Sequence, residues 1–195
     1  KKMLSYEESL KILKETNALI EGHFILSSGL HSSKYVQCAQ LLSKPNSSFK
    51  ICNSLAEKIN QHFKKIDLIL SPAMGGIIIG YEIGKLLKKE TIFAERVNGV
   101  FKLRRGFSIK KNTNVLIVED VITTGKSSLE CSNLIKESEA NLIGFACIID
   151  RSDSKIEIKD KIISQIRLDI PTYTKDNLPE SLSSLKAEKP GSRSL

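Results

Sequence analysis

Residues 115–127 (VLIVEDVITTGKS) constrain the fold more than any other stretch of this chain. The run 115–118 is dominated by β-branched residues, as is typical of a parallel strand that is buried on both faces. Ligands of open α/β sheets bind at the carboxyl ends of such strands, and here Glu119 and Asp120 follow at once. Two carboxylates suit vicinal sugar hydroxyls, whereas the hydroxyls and backbone N–H groups of residues 123–127 suit a phosphate. The stretch therefore predicts a site for a sugar phosphate such as ribose 5-phosphate.

Two other interpretations of this stretch are a nucleoside-triphosphate P-loop and a capped helix without a ligand. The triplet Gly125-Lys126-Ser127 resembles the end of a nucleoside-triphosphate P-loop, but that loop requires a glycine five residues before Gly125, where this chain has Asp120. A buried strand followed by a capped helix would explain the Thr and Ser hydroxyls. It would not explain the paired carboxylates beside them, so the sugar-phosphate site is favoured.

The strand and helix patterns predict an α/β fold with a mainly parallel sheet flanked by helices. The strand candidates are residues 68–70, 91–94, 115–118 and 142–149, with 162–168 as an edge strand. The helix candidates are residues 5–20, 47–63, a helix ending at 87, and 125–138. Ser5 and Glu8 match a capping box at the start of the first of these helices. This alternation is the expected pattern of a parallel sheet.

Shorter elements are expected around this core. Residues 24–26 and 34–37 should pair as short strands around a polar loop. Residues 100–103 and 106–109 should form a hairpin or a mobile flap, and the Asn-Gly pair at 98–99 marks a turn. Beyond Pro171 the sequence is polar without a clear period, so little ordered chemistry is expected there.

The composition limits the possible partners. Thirty Lys and Arg against 22 Asp and Glu give a net charge of +8 over 195 residues, which is compatible with nucleic acid, an acidic membrane or a polyanionic small molecule. Most lysines are spread along the chain, as on a solvated surface. Four cations lie within ten positions and suit a diphosphate: Arg96, Lys102, Arg104 and Arg105. We therefore expect small-molecule ligands and neither nucleic acid nor membrane as a partner.

The four cysteines show no short paired spacing, so neither a zinc site nor a disulfide framework is indicated. Reduced thiols are typical of the cytoplasm, which is the expected compartment. The beginning of the sequence lacks the apolar core of a signal peptide. The most apolar segment, residues 66–87, is interrupted by charged residues and a proline, which argues against a membrane span.

Residues 115–127 closely resemble the motif that binds phosphoribosyl diphosphate (PRPP) in the type I phosphoribosyltransferases. In that motif an apolar run precedes two acidic residues, two apolar residues and a Thr/Gly-rich phosphate loop. Other segments look like bacterial orotate phosphoribosyltransferases of the short form, in the right order: residues 22–35, 71–76, 95–99, 103–107 and 149–151. The resemblance covers most of the chain, and the motif is specific for PRPP, less so for the base.

This resemblance implies transfer of the ribose 5-phosphate of PRPP to orotate, giving orotidine 5′-monophosphate and pyrophosphate in pyrimidine nucleotide synthesis. It implies Mg²⁺ as the cofactor, bound mainly through PRPP with Asp120 as the candidate protein ligand. It also implies the type I phosphoribosyltransferase fold as a single domain over residues 1–195, in which 1–45 contribute to a small hood subdomain and 171–195 form a polar C-terminal tail. The implied assembly is a homodimer in which the flap of one subunit reaches the neighbouring site.

The resemblance also assigns roles to individual residues. The PRPP-binding candidates are Arg96, Glu119, Asp120, Val121, Ile122, Thr123, Thr124, Gly125, Lys126 and Ser127, together with Ala73, Met74, Gly75 and Gly76. The candidate catalytic cations are Lys102, Arg104 and Arg105, and the orotate-binding candidates are Thr123, Arg151, Tyr35 and Val36. Arg151 is the most selective of these, because a guanidinium pairs bidentately with the carboxylate that orotate has and purines lack. An exposed basic hairpin and a surface arginine are the plainer interpretations of these cations.

The chain departs from the family pattern at two places. Ser27 stands where many members have a PRPP-contacting Lys, and residues 102–105 (KLRR) replace a Lys-x-His pattern in a longer flap. Which cation is catalytic is therefore left open. Two other functions are also left open: transfer to another base, purine or uracil, and PRPP sensing by a non-catalytic regulator. The regulator would need an added DNA-binding module, and the chain has no spare segment for one.

Overall fold

A six-stranded sheet forms the centre of the computed structural model, which describes residues 3–153 and 155–190. The strands are β1 Leu19–Ile25, β2 His31–Val36, β3 Leu68–Pro72, β4 Glu90–Val97, β5 Val100–Leu103, β6 Asn114–Ile122, β7 Asn141–Asp150, β8 Ile162–Arg167 and β9 Thr172–Tyr173. The helices are α1 Tyr6–Glu15, α2 Cys38–Leu42, α3 Pro45–His62, α4 Gly76–Leu87, α5 Lys126–Glu137 and α6 Glu180–Ser183, with a 3₁₀ turn at Lys175–Asn177.

The central sheet has the strand order β5-β4-β3-β6-β7-β8. All neighbouring pairs are parallel except β4 and β5, which form an antiparallel hairpin at one edge. Strands β3, β6 and β7 are almost continuously apolar because helices cover both faces of the sheet. The predicted α/β class and mainly parallel sheet are confirmed.

Alternate residues of β6 face two separate apolar cores. Leu116 and Val118 pack in the core that includes α3 and α4, whereas Val115 and Ile117 pack in the core that includes α5. This alternation is the ordinary period of a strand. The alternation also determines which side of the sheet the carboxylates of Glu119 and Asp120 face at the end of β6.

A second, three-stranded antiparallel sheet has the order β1-β2-β9. Two buried imidazoles join its long strands, since His23 Nε2 lies 2.7 Å from His31 Nδ1. His23 Nδ1 donates to the carbonyl oxygen of Leu185 at 3.0 Å, and the backbone of Glu188 pairs with that of His23 and Ile25. Residues 172–188 are therefore more ordered than their polar sequence indicates, because they pack on this sheet.

Several predicted boundaries are wrong. The first helix ends at Glu15 rather than residue 20, because Asn17 has a left-handed φ of 60° and Leu19 already belongs to β1. Residues 106–109 form no strand, and β5 pairs with β4 through the predicted Asn98-Gly99 turn. Helix α2 was not predicted. The predicted capping box of Ser5 and Glu8 is confirmed.

None of the described helices is long and apolar enough to cross a membrane.

Candidate active site

The carboxyl ends of β3, β6 and β7 lie side by side and carry most of the predicted site residues. The loop after β3 contributes residues 73–76, the end of β6 and the following loop contribute 119–127, and Arg151 follows β7. Arg151 is held against β6 because its N–H donates to the carbonyl oxygen of Ile122 at 2.8 Å. The parallel sheet thus brings together segments that are far apart in sequence.

Asp120 lies where the loop after β3 meets the end of β6. Its Oδ1 accepts a hydrogen bond of 2.9 Å from the N–H of Val121. Burial raises the pKa of the Asp120 carboxyl, and the Val121 N–H opposes that shift. A Cβ added to Gly75 would lie 2.8 Å from Asp120 Oδ2, so only glycine lets the loop approach the carboxylate this closely. Gly75 therefore leaves room for the Asp120 carboxylate at the mouth of the sheet.

Glu119 does not share a face with Asp120. It lies on the α5 side of β6, is 8% exposed, and accepts a hydrogen bond at Oε1 from the fully buried hydroxyl of Ser128. Burial raises the pKa of the Glu119 carboxyl to about 7, against the opposing effect of the Ser128 hydrogen bond. The two adjacent carboxylates point to opposite faces of the sheet, as successive side chains of a strand do.

The predicted phosphate loop leads directly into α5. Thr123, Thr124 and Lys126 are exposed, whereas Gly125 is buried with a φ of 76°. The N-cap residue Gly125 has no side chain to cap α5, and the N–H of Lys126 donates to Thr124 Oγ1 at 3.4 Å. The N–H groups that follow it are available to an anion together with the positive end of the helix dipole. A Cβ on Gly125 would lie 2.7 Å from Ile158 Cδ1, and glycine is thus needed for packing as well as conformation. The loop has the features of an anion site.

The loop after β3 is held to β4 and exposes its tip. The N–H of Ala73 donates to the carbonyl oxygen of Ala94 at 2.8 Å. The Ala73–Met74 peptide bond is cis, and the Met74 side chain is 82% exposed. Gly75 precedes the buried Gly76 at the start of α4, where no side chain caps the helix. The loop therefore presents backbone groups beside Asp120.

The four clustered cations fall into two groups. Arg96 is tied to α5, since its NH2 lies 2.6 Å from Glu130 Oε2 and 3.5 Å from Ser127 Oγ, and its guanidinium lies 4.1 Å from the Phe101 ring centroid. Arg105 forms two hydrogen bonds, of 2.8 and 2.9 Å, with the Glu95 carboxylate.

The second group is Lys102 and Arg104. Both are exposed, and neither side chain has a hydrogen bond or an ion pair within residues 3–153 and 155–190. They are the two cations of the cluster that can meet a ligand without first giving up a carboxylate partner.

Arg151 borders a cleft of about 820 Å³ next to the phosphate loop. Thr123, Thr124 and Lys126 line the same cleft. Burial lowers the pKa of Arg151, and its Nε is buried without a hydrogen-bond partner in the described part of the chain. A partly buried guanidinium with an unpaired donor is suited to an anionic ligand.

Tyr35 and Val36 lie at the end of β2 in the small sheet, and both are half-buried. The Tyr35 ring packs against Phe24, with centroids 5.8 Å apart. The chain reaches the central sheet just beyond them, where Cys38 Sγ lies 4.0 Å from the carbonyl oxygen of Asp120. These residues therefore approach the site from the small sheet.

Sequence reasoning missed three partners of the site: Glu95, Ser128 and Glu130. Each holds a predicted site residue, namely Arg105, Glu119 and Arg96. Ser128 and Glu130 could have been found from the 3.6-residue period of α5, which places residues 127 and 130 on one face and residue 128 towards the sheet.

Among the described residues, no three His, Cys, Asp or Glu side chains are grouped as a metal site. Asp120 offers a carboxylate at the end of β6, which fits the way Mg²⁺ is held by one or two carboxylates plus the phosphates of a substrate.

The fold and this site define the class of phosphoribosyltransferases. Residues 38–175 match the family described as Phosphoribosyl transferase domain. The chain is 47% identical to an orotate phosphoribosyltransferase of Parvibaculum lavamentivorans, covering 98% of this chain and 100% of that one. It is 45% identical to one of Thermotoga maritima, covering 95% and 98%. The chain belongs to the orotate phosphoribosyltransferase family.

Solved structures agree on the fold. The crystal structure of the Aeropyrum pernix orotate phosphoribosyltransferase has a TM-score of 0.71 at 23% identity, and the match covers 81% of this chain and 92% of that one. An adenine phosphoribosyltransferase has a TM-score of 0.66 at 17% identity, covering 83% and 99%. The fold is thus shared by enzymes named for different bases.

Proposed function

We propose that this protein transfers the ribose 5-phosphate of PRPP to orotate, giving orotidine 5′-monophosphate and pyrophosphate. The observation that carries the proposal is the cleft in which the phosphate loop and Arg151 face one space. The loop residues Thr123, Thr124 and Lys126 suit a phosphate, and the Arg151 guanidinium suits the carboxylate of a base. The relatives that are 45–47% identical over almost the whole chain support the same reaction.

The ribose 5-phosphate moiety would occupy the end of β6. The N–H groups at the start of α5, with Thr123, Thr124 and Lys126, would bind the 5-phosphate. The Asp120 carboxylate, held by the Val121 N–H and given room by Gly75, would accept hydrogen bonds from the ribose hydroxyls. Holding the ribose rigidly aligns its anomeric carbon with the incoming nitrogen, which is the main contribution that a positioning site makes to such a reaction.

The departing diphosphate gains negative charge as the bond to the anomeric carbon breaks, and the ribose gains oxocarbenium character. Lys102 and Arg104 would neutralise that charge from the hairpin, because both are unpaired and exposed. The backbone of residues 73–76 would contact the diphosphate from the other side. Mg²⁺ bound with PRPP, with Asp120 as a candidate ligand, would supply further neutralising charge.

Arg151 would select the base. Its guanidinium can pair with the orotate carboxylate, and adenine, hypoxanthine and uracil have no such group. Tyr35 and Val36 would contact the orotate ring from the small sheet. Transfer to another base is the second candidate, because the adenine-named structure shares this fold.

Three further features are proposed with this function. Residues 1–195 would form one domain, with 1–45 contributing to the hood, which is the small sheet, and 171–195 as the tail. The protein would act as a homodimer in which Lys102 and Arg104 reach the neighbouring site, because both side chains are exposed. The compartment would be the cytoplasm, where the four free, buried thiols would stay reduced.

The test is a base panel with purified protein, PRPP and Mg²⁺. Orotate loss is followed by its ultraviolet absorbance, with adenine, hypoxanthine and uracil in parallel and a chelator as the Mg²⁺ control. The proposal requires Mg²⁺-dependent loss of orotate alone. Turnover of another base instead would show that the protein is a phosphoribosyltransferase for that base. PRPP binding without turnover would favour a regulator.

A further inference from the structure

An ion pair at the ends of β7 and β8 holds the backbone on both sides of Arg151. Asp150 is the last residue of β7, and it pairs in register with Arg167, the last residue of β8. Asp150 Oδ1 accepts a hydrogen bond of 2.8 Å from the N–H of Ser152. Arg167 donates from Nη1 to Asp150 Oδ2 at 3.1 Å and from Nη2 to the carbonyl oxygen of Ser152 at 2.8 Å. These two side chains therefore join the residue before Arg151 to the residue after it.

The direction of the Arg151 side chain depends on this backbone. The Arg151 N–H donates to the carbonyl oxygen of Ile122 at 2.8 Å, which ties the segment to β6. The Arg151 Nε, in contrast, is buried without a hydrogen-bond partner among residues 3–153 and 155–190. Since no such bond fixes the Nε, the conformation of residues 150–152 determines where the guanidinium can point.

The exposure of the ion pair indicates that its effect is local. The Asp150 side chain is 7% exposed, whereas the Arg167 side chain is 65% exposed. An exposed arginine that forms an ion pair contributes little to the stability of a fold. Two of the three hydrogen bonds described above end on the main chain of Ser152. The pair therefore restrains the segment that carries Arg151 more than it joins distant parts of the chain.

We propose that Asp150 and Arg167 are positioning residues that set the affinity of the site for the carboxylate of the base by fixing the direction of Arg151. The inference rests on the proposed function, in which the Arg151 guanidinium binds that carboxylate. A guanidinium and a carboxylate form two parallel hydrogen bonds only when they are correctly oriented. A binding residue has to be held within about 0.5 Å and 10–20° of its productive geometry. A looser segment would weaken this contact and leave the phosphate loop unchanged.

Two nucleotides separate this effect from a general loss of structure. Orotidine 5′-monophosphate carries the carboxylate of orotate, and uridine 5′-monophosphate is the same nucleotide without that group. Both contain the same ribose 5-phosphate, so the phosphate loop contributes equally to the binding of each. Their dissociation constants are measured by titration calorimetry, which requires no turnover.

Two variants disrupt the ion pair from opposite sides. Arg167→Ala removes the exposed partner, and Asp150→Asn keeps the shape of the buried partner while removing its charge. Lys111→Ala is the matched control, because Lys111 is 64% exposed and pairs with Glu139 at 2.5 Å, and it precedes the amino end of β6. Urea unfolding reports whether each variant is folded. Arg167→Ala changes an exposed residue and keeps the test decisive if Asp150→Asn does not fold.

We expect Arg167→Ala and Asp150→Asn to weaken binding of orotidine 5′-monophosphate about 5- to 20-fold and that of uridine 5′-monophosphate less than about 2-fold. The KM for orotate should rise by the same factor, whereas the KM for PRPP should change less than about 2-fold. In the Arg151→Ala variant, adding Arg167→Ala should weaken orotidine 5′-monophosphate by less than about a further 2-fold, because the positioned guanidinium is absent. Lys111→Ala should bind both nucleotides as the wild type does.

Three outcomes overturn the inference without affecting the proposed function. Equal weakening of both nucleotides would show a general structural role, and normal binding of both would show no role. A loss in Arg167→Ala that adds fully to that of Arg151→Ala would make Arg167 a direct contact of the carboxylate. Failure of the proposed function is distinct, because the wild-type protein itself would then turn over no orotate and would bind the two nucleotides equally.

Discussion

Replacing Gly75 with alanine would place a methyl group against the carboxylate of Asp120. The new Cβ would lie 2.8 Å from Oδ2, 2.9 Å from Oδ1 and 3.0 Å from Cγ of Asp120. Contacts this short force a movement, and the carboxylate is the group that can move. Gly75 itself has φ −60° and ψ −33°, which alanine adopts without strain. The substitution should therefore disturb the site far more than the fold.

The size of the effect follows from what Asp120 would lose. Turning its side chain out of a rotamer minimum costs about 0.5–1.5 kcal/mol, and losing the 2.9 Å hydrogen bond from the Val121 N–H costs about 1–3 kcal/mol. A misplacement of about 1 Å in an active site lowers the rate on the order of 100-fold. We expect kcat/KM for PRPP to fall by about that factor. The two costs, less the roughly 0.4–1 kcal/mol that alanine gains over glycine, limit the loss of unfolding free energy to about 4 kcal/mol.

The assay is steady-state consumption of orotate with PRPP varied, together with urea unfolding of wild type and variant. In the Asp120→Ala variant, adding Gly75→Ala should lower kcat/KM by less than about a further 3-fold. The carboxylate that the new methyl group would displace is absent from that variant. A Gly75→Ala enzyme of wild-type activity would refute the reasoning. So would a loss of equal size in both backgrounds, since it would show that the effect does not pass through Asp120.

Three other predictions follow from the partners of the site residues. Alanine at Lys102 or Arg104 should lower kcat at least 100-fold. Arg105→Ala should lower kcat less than about 5-fold, because the Arg105 charge is already paired with Glu95. Single-turnover rates with saturating PRPP measure these effects, and equal losses at all three residues would contradict the prediction. Arg151→Ala should raise the KM for orotate about 10- to 150-fold and the KM for PRPP less than 2-fold, as expected from losing a charge-assisted hydrogen bond of about 1.5–3 kcal/mol. Because burial raises the pKa of Glu119 from 4.5 to about 7, the folded state holds its proton more tightly than the unfolded state, so stability should fall as pH rises from about 4.5 to about 7. Glu119→Gln should flatten that fall by about 2–4 kcal/mol in urea unfolding at several pH values, and identical slopes would contradict the shift.

The sequence predicted the elements whose pattern is local. The apolar runs that became β3, β6 and β7 and the capping box of α1 depend on residues that are neighbours in sequence. The end of the first helix was wrong because Leu19 and Ile20 continue an apolar stripe that a helix and a strand use equally well. Their pairing with residues 35 and 36 of β2 decides the matter, and that pairing is not visible locally.

The sequence predicted which residues belong to the candidate site but not the direction in which each side chain points. Glu119 and Asp120 were expected to act together, whereas the strand turns them to opposite cores. The packing of residues 172–188 on the small sheet was also missed, because short polar strands and backbone contacts such as Glu188 N–H to His23 carbonyl leave no periodic signal. Both features depend on contacts between residues that are far apart in the sequence.

A competition experiment tests the central claim most directly. The purified protein receives Mg²⁺, limiting PRPP and equal concentrations of orotate, uracil, adenine and hypoxanthine, and all nucleotide products are identified by mass spectrometry. The account predicts orotidine 5′-monophosphate as the only nucleotide, and its loss in Arg151→Ala. A purine or uracil nucleotide as the main product, or no nucleotide at all, would contradict it.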